Sequence, residues 1–289
     1  MFGTRTTDKL LYGEVESRIQ SITEQTEVIA PIYIPSRHRP DVAMTTKLLD
    51  DDGLTYRLVV EPHDYNNYLE YYPEDKLLVM DQDDQGLYYA RNYAITHANE
   101  NGYLYCWQFD DDMKSFVYRQ GGKAHKTTPR HLLSIVEQST FQFSNIGASG
   151  IGNAGFIFGY DDKPPVVYNS MVFQAMLLRT DTGLQFRPDV TEDADYTLQL
   201  LHNGYVTLTF KRIGQASAPT MAVKGGMTDK EYAGDGRLKN FQQLLEFFPG
   251  SYKIGYRPDG RPHLRSTGYY RRFTQLPRPL QKPQHRKTI

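Results

Sequence analysis

Four short apolar runs alternate with helical segments over the first 109 residues, and this alternation limits the possible folds more than any other property of the chain. The runs are 28–34, 56–60, 76–80 and 103–109. After the first, Asp41 can cap a helix carrying Val42, Met44, Leu48 and Leu49 that ends near Gly53. A tyrosine-rich helix separates the second and third runs. Residues 86–101 then place Leu87, Ala90, Ala94 and Ala98 on one stripe, stopped at Gly102. Strands alternating with helices predict βαβ units, because parallel neighbours need a crossover long enough to hold a helix. The expected fold class is therefore α/β with a mostly parallel central sheet.

Further along, periodicity is lost around Gly121-Gly122-Lys123 and a helix is expected near 129–139. Residues 146–180 read as β-rich, with Gly147, Gly150, Gly152 and Gly155 marking turns or close backbone approach. A helix over 192–202 follows, with Ala194, Leu198 and Leu201 on one face, then a strand at 205–210. The Gly-rich stretch 224–236 is a candidate lid over a bound donor. The expected organisation is an N-terminal arm (1–27), a catalytic domain (28–250) and a basic Tyr/Arg/Pro-rich segment (251–289).

A chain of 289 residues with 39% hydrophobic and 23% charged residues has room for a large core and a globular composition. No apolar stretch reaches membrane-spanning length, and the first residues lack a signal-peptide core, so no membrane partner and a cytoplasmic location are expected. The single cysteine, Cys106, excludes an intramolecular disulfide and a cysteine-rich zinc site. Flanked by aromatics in mid-strand, it reads as a core thiol. The net charge of −1 conceals a division. From Lys253 onward ten Lys/Arg face one acid, Asp259, while 23 basic and 33 acidic residues precede them. A basic end on an acidic body is either a solubilising tail or a footprint for a polyanion.

The fourth run ends on Asp110-Asp111-Asp112. Carboxylates at a strand end supply hard oxygen ligands for Mg2+ or Mn2+ where an open α/β sheet binds nucleotides. Alternation in the turn puts Asp110 and Asp112 on one side as the metal pair, leaving Asp111 towards the ribose or solvent. An acidic turn capping the next residues is the competing reading. A second cluster, Thr191-Glu192-Asp193-Ala194-Asp195, opens the later helix. Its composition suits a helix start, yet a general base also needs a carboxylate held at such a point. Asp193 is the preferred base, with Glu192 and Asp195 orienting or ligating. Ser36, Arg37 and Arg39 follow the first run and can meet donor oxygens. Gln85-Gly86 and Arg91-Asn92 offer a helix amino end and an in-helix arginine to the same donor. The eight histidines are scattered without metalloprotease spacing; His263 is either a late ligand or a surface residue.

In order, the chain carries Ile34-Pro35-Ser36-Arg37-His38-Arg39-Pro40, Leu58-Val59-Val60-Glu61-Pro62 with Tyr65, Gln85-Gly86 with Ala90-Arg91-Asn92, Trp107-Gln108-Phe109-Asp110-Asp111-Asp112, and Thr191-Glu192-Asp193-Ala194-Asp195-Tyr196. This series resembles the TET-associated glycosyltransferases, a group encoded mainly by bacteriophages, and covers roughly residues 28–210. The resemblance implies a GT-A-type, Rossmann-like nucleotide-sugar-binding fold and a nucleotide-sugar donor, taken as a UDP-sugar. It implies a divalent cation (Mn2+ or Mg2+) at Asp110 and Asp112. The implied acceptor is a 5-hydroxymethylpyrimidine in DNA, taken as 5-hydroxymethylcytosine, which would put the enzyme in the host cytoplasm. Asp193 matches the base of inverting members. The third triplet position is Asp here where many relatives carry Asn.

The resulting expectation is a metal-dependent, inverting DNA glycosyltransferase whose basic end contacts phosphates. Tyr252, Tyr256, Tyr269 and Tyr270 either stack on an exposed base or pack ordinarily. Three other readings are a glycosyltransferase with a glycan or protein acceptor, a nucleotidyltransferase, and a catalytically silent nucleic-acid-binding module.

Overall fold

The computed structural model describes residues 6–20, 27–41, 44–157, 164–217 and 235–280. Its centre is the alternating segment. Strand β1 (Ile32–Pro35) leads through α2 (Met44–Asp51) to β2 (Arg57–Val60), and α3 (Tyr65–Leu69) leads to β3 (Leu77–Val79). Helix α4 (Leu87–Glu100) then returns the chain to β4 (Tyr105–Phe109). These four pair in parallel in the order β3-β2-β1-β4. Every residue of β1 and β4 is buried, as expected for parallel strands covered on both faces. Cys106 is among them, and burial pushes its thiol up to about 12, so it is a packing group.

Beyond β4 the sheet continues through β9 (Ala175–Arg179), β7 (Ile146–Asn153), β10 (Val206–Ser217), β5 (Met113–Gln120) and β6 (Lys123–Thr127), and β8 (Val166–Tyr168) pairs with β10. Of these ten strands, β5, β8 and β9 run against the rest, so the direction is mostly parallel. Helices α5 (Pro129–Thr140) and α6 (Glu192–His202) pack on the extended half. The β5–β6 hairpin was not expected. Its signal is Gly121-Gly122, with φ of 58° and 76°, which suits a two-residue primed turn. Strand β6 is exposed from Lys123 to Lys126 and carries no apolar alternation to betray it. In β7 the glycines permit close approach. A Cβ at Gly147 would lie 2.6 Å from Leu200 of α6, and one at Gly152 would lie 2.8 Å from the Phe210 carbonyl of β10.

Both ends of the chain join this body. Within the expected arm, α1 (Thr6–Gln20) buries Leu11, Val15 and Ile19 in the main core and contacts α5. Helix α7 (Gly236–Phe247) and the hairpin of β11 (Tyr252–Tyr256) and β12 (Pro262–Ser266) pack on α6 through a cluster of Val190, Ala194, Leu198, Leu244, Phe248 and Tyr252. The basic segment then runs back to the sheet, where Ser144 N donates to the Arg278 carbonyl at 2.8 Å and Asn145 Nδ2 to the Leu276 carbonyl at 2.9 Å. Most of the candidate lid at 224–236 and the basic residues after 280 lie outside the described residues.

Candidate active site

The strand order reverses between β1 and β4: from β1 the chain proceeds to β2 on one side, while β4 lies on the other. The carboxyl ends of these two strands therefore border a crevice of the kind that holds nucleotides in open α/β sheets. The two loops there bond directly. Ser36 Oγ donates to Asp111 Oδ2 at 2.8 Å, and Arg39 donates through Nε at 2.7 Å and a terminal nitrogen at 2.5 Å. Tyr68 Oη in turn donates to Ser36 at 2.7 Å. Asp111 is 3% exposed, which corrects its expected orientation towards ribose or solvent. A carboxylate that accepts this many short bonds turns to where its donors are, and the donors lie on the β1 loop.

Arg91 and Asn92 are also corrected. Arg91 is 1% exposed and turns its terminal nitrogens to side chains of the fold. Its terminal nitrogens reach Gln108 Oε1 at 3.4 Å, Asp110 Oδ1 at 3.0 Å and Glu192 Oε1 at 3.7 Å. Burial works against its charge, but Asp110, Glu192 and Asp193 outweigh burial and hold its pKa above the ordinary value. Arg91 is thus the link that draws two acidic clusters, remote in sequence, to one place. Asn92 fixes the segment before α6, donating to the Phe186 carbonyl at 2.9 Å and accepting from Phe186 N at 2.8 Å.

On the other side of the loop, Arg37 donates to Glu61 at 2.9 Å and pairs with Asp84. Gln85 Nε2 donates to the Asp83 carbonyl at 3.2 Å. Gly86 precedes α4 with φ of 93°, a conformation that favours glycine, and no side chain caps the helix there.

Helix α6 starts with Thr191 in the cap position, although its side chain makes no capping bond. Asp195 is fully buried, accepting from Arg187 Nε at 3.0 Å and Gln199 Nε2 at 2.7 Å. Arg187 lies 3.7 Å over the Phe247 ring, so Asp195 ties α6 to α7 and is not a ligand or an orienting group within the site. Glu192 and Asp193 are different. Burial raises both carboxyls, with Arg91 opposing; for Asp193, held well above the usual range, the adjacent Glu192 charge adds to the effect. One oxygen of Asp193 is buried without a partner.

Asp112 shares these properties. Its Oδ1 is buried and unpartnered, and burial, then the charges of Asp110 and Asp111, push its carboxyl up to about 6. Burial raises Asp110 as well, despite its bond to Arg91. Asp110, Glu192 and Asp193 therefore lean on the Arg91 guanidinium, and Asp112 on Arg39, which is already bonded to Asp111, an arrangement short of positive charge. A divalent cation fits this donor set: hard oxygens, an unsatisfied Asp112 oxygen and an excess of negative charge, with phosphate and water completing the shell. Among the described residues, no three His, Asp or Glu ligand atoms within 4.8 Å of one another include Asp110, Asp112 or His263. His263 sits on β12, accepting from Arg265 at 3.2 Å.

Two features escaped the sequence reading. Gln174, with φ of 63°, accepts from Asp110 N at 3.2 Å through its carbonyl, while its side chain meets Asn153 at 3.4 Å and Gln215. This amide cluster draws on three separate stretches of chain, so no local pattern marks it. The second is the Tyr252–Tyr270 hydroxyl pair, 2.7 Å apart. Burial raises both phenols, Tyr252 to about 12, and the charge of Asp193 contributes to each. These two tyrosines are packed, while Tyr256 is exposed and Tyr269 bonds to His202 at 3.1 Å.

No curated protein sequence matches the chain. The TET-associated glycosyltransferase family model matches residues 30–226, which span every motif from the β1 loop to the start of α6. With well over half of its length matched, this chain belongs to the TET-associated glycosyltransferases, and it is a glycosyltransferase.

Proposed function

We propose that the enzyme transfers a sugar from a nucleotide-sugar donor, a UDP-sugar, to the hydroxymethyl group of a 5-hydroxymethylpyrimidine in DNA, with 5-hydroxymethylcytosine the first acceptor to test. The observation that carries this reading is the shortage of positive charge around Asp110, Asp112, Glu192 and Asp193. Asp110 and Asp112 would hold Mn2+ or Mg2+, which when bound offsets charge on the departing diphosphate. The open amino end of α4 at Gln85–Gly86 and the β1 loop with Arg37 and Arg39 would border the donor, while Ser36 and Asp111 fix that loop from behind.

Asp193 acts as the base. Its carboxyl, raised by burial and by Glu192, is a stronger proton acceptor than an ordinary carboxylate. The acceptor oxygen attacks the anomeric carbon, its proton passes to Asp193, and the bond from that carbon to the diphosphate breaks. Attack opposite the leaving group inverts the anomeric centre. Arg91 holds Glu192 and Asp110 so that the base and the donor end stay in register. The arginines of the C-terminal segment supply sequence-independent phosphate contacts.

The test is mass spectrometry of nucleosides from hydroxymethylated DNA incubated with a panel of sugar nucleotides and Mn2+. A hexose or pentose mass added to a hydroxymethylpyrimidine supports the proposal. Transfer to glycan or protein acceptors in competition, with none to DNA, would redirect it to the second acceptor class.

A further inference from the structure

We propose a second metal site, for a zinc-like divalent cation, built by His38, His63 and Asp64 at the carboxyl ends of β1 and β2. The ligand atoms of these three residues lie within 4.8 Å of one another, and Glu61, His63 and Asp83 form an overlapping group of the same size. Zinc bonds of about 2.0–2.1 Å set tetrahedral ligands roughly 3.3–3.4 Å apart. Within the proposed set, His38 Nδ1 and Asp64 already lie 3.0 Å apart, close to that separation, and no pair of the three ligand atoms exceeds 4.8 Å. The two imidazoles face each other with ring centres 5.0 Å apart and a tilt of 32°. Both rings are exposed along one side, so modest rotation closes the remaining gap.

The surrounding bonds orient the imidazoles. His38 has φ of 55°, and the buried Asp64 holds it there by accepting its backbone N–H at 2.7 Å. Asp83 accepts from His63 N at 2.9 Å and lies 2.7 Å from its Nδ1. A carboxylate on one ring nitrogen sets the tautomer and leaves the other nitrogen's lone pair for a metal, the arrangement common around ligating histidines. Two nitrogens and one carboxylate favour zinc or another borderline cation over Mg2+ or Mn2+, in contrast to the all-oxygen set at Asp110 and Asp112. Water takes the fourth position. No step of the proposed reaction uses His38, His63 or Asp64, and the test does not use activity.

The experiment is calorimetric titration of Zn2+ into the metal-free full-length protein, with the visible absorption of Co2+ reporting tetrahedral nitrogen and oxygen ligation. One equivalent should bind at micromolar or tighter concentration. His63→Ala and, separately, His38→Asn should each weaken it by at least about 100-fold; Asn tolerates the left-handed conformation at position 38. Asp83→Asn should weaken it by roughly 10–100-fold, as loss of an orienting partner does. Asp112→Asn should leave this equivalent in place. Circular dichroism checks that each variant is folded, and either histidine variant alone suffices. No binding by the parent protein, or binding unchanged in a folded histidine variant, overturns the proposal.

Discussion

Asp111 and Asp112 are neighbours in one triplet, yet they occupy opposite kinds of environment. On the β1 side, Asp111 has Arg39 and Ser36 on its oxygens, with Tyr68 behind Ser36. By contrast, Asp112 and, on α6, Asp193 each keep a buried oxygen without a partner, and burial raises both carboxyls. The first region is a satisfied network that fixes a loop. The second holds carboxyl oxygens that the protein itself leaves unsatisfied. A buried unpaired polar atom costs about 1–3 kcal/mol, so its persistence at two of the site's carboxylates marks the region reserved for a ligand.

Breaking the unsatisfied side should give the largest effect. Asp112→Asn is expected to lower sugar transfer by about 10⁴-fold, the loss of several kcal/mol of charge stabilisation. The same variant should raise the melting temperature of the metal-free protein at pH 7.5 by roughly 2–4 °C, the shift that about 1 kcal/mol produces in a domain of this size. Asp193→Asn comes next, with transfer reduced by about 10³-fold. Donor affinity measured by calorimetry should hold, and a variant as fast as the parent would remove Asp193 from the base role.

The link between the regions can be cut at Arg91. Arg91→Met leaves Asp110 and Glu192 without their buried partner and should cost about 3–5 kcal/mol in chemical denaturation, the range for breaking one side of a buried ion pair. An unchanged denaturation midpoint would mean that Arg91 does not hold the clusters together.

The smallest effect sharpens the contrast through pH. Asp112 is raised from an ordinary carboxylate value near 4 to about 6, so folding favours its protonated form. The metal-free protein should therefore gain stability as pH falls from about 6 towards 4, and the advantage of Asp112→Asn should shrink over the same window. A parent-to-variant difference in melting temperature that stays constant from pH 7.5 to pH 4.5 would contradict this assignment.

Much of the fold was readable because its signals are local. The four runs became β1 to β4, the stripe at 87–98 became α4, and the triplet emerged at the strand end where the alternation put it. The β5–β6 hairpin was missed because β6 carries no apolar pattern and its one cue, Gly121-Gly122, reads equally as a loose loop. The site was legible in membership and less so in orientation. Asp111 was expected to face the ribose or solvent, and Arg91 was expected to meet the donor, whereas both are buried. His38 and His63, 25 positions apart and outside any metal-ligand spacing, gave no sign of sharing one sheet end.

The sequence by itself determined which residue types stand at the ends of which strands, because hydrophobic periodicity and turn chemistry act over a few residues. Only the tertiary structure decided which carboxylates are paired and which keep a buried oxygen without a partner. That outcome depends on Arg39, Arg91 and the buried surfaces around them, which the chain brings together across β1, α4, β4 and α6. The electrostatic balance of a buried group is a sum over spatial neighbours, and sequence order does not contain that sum.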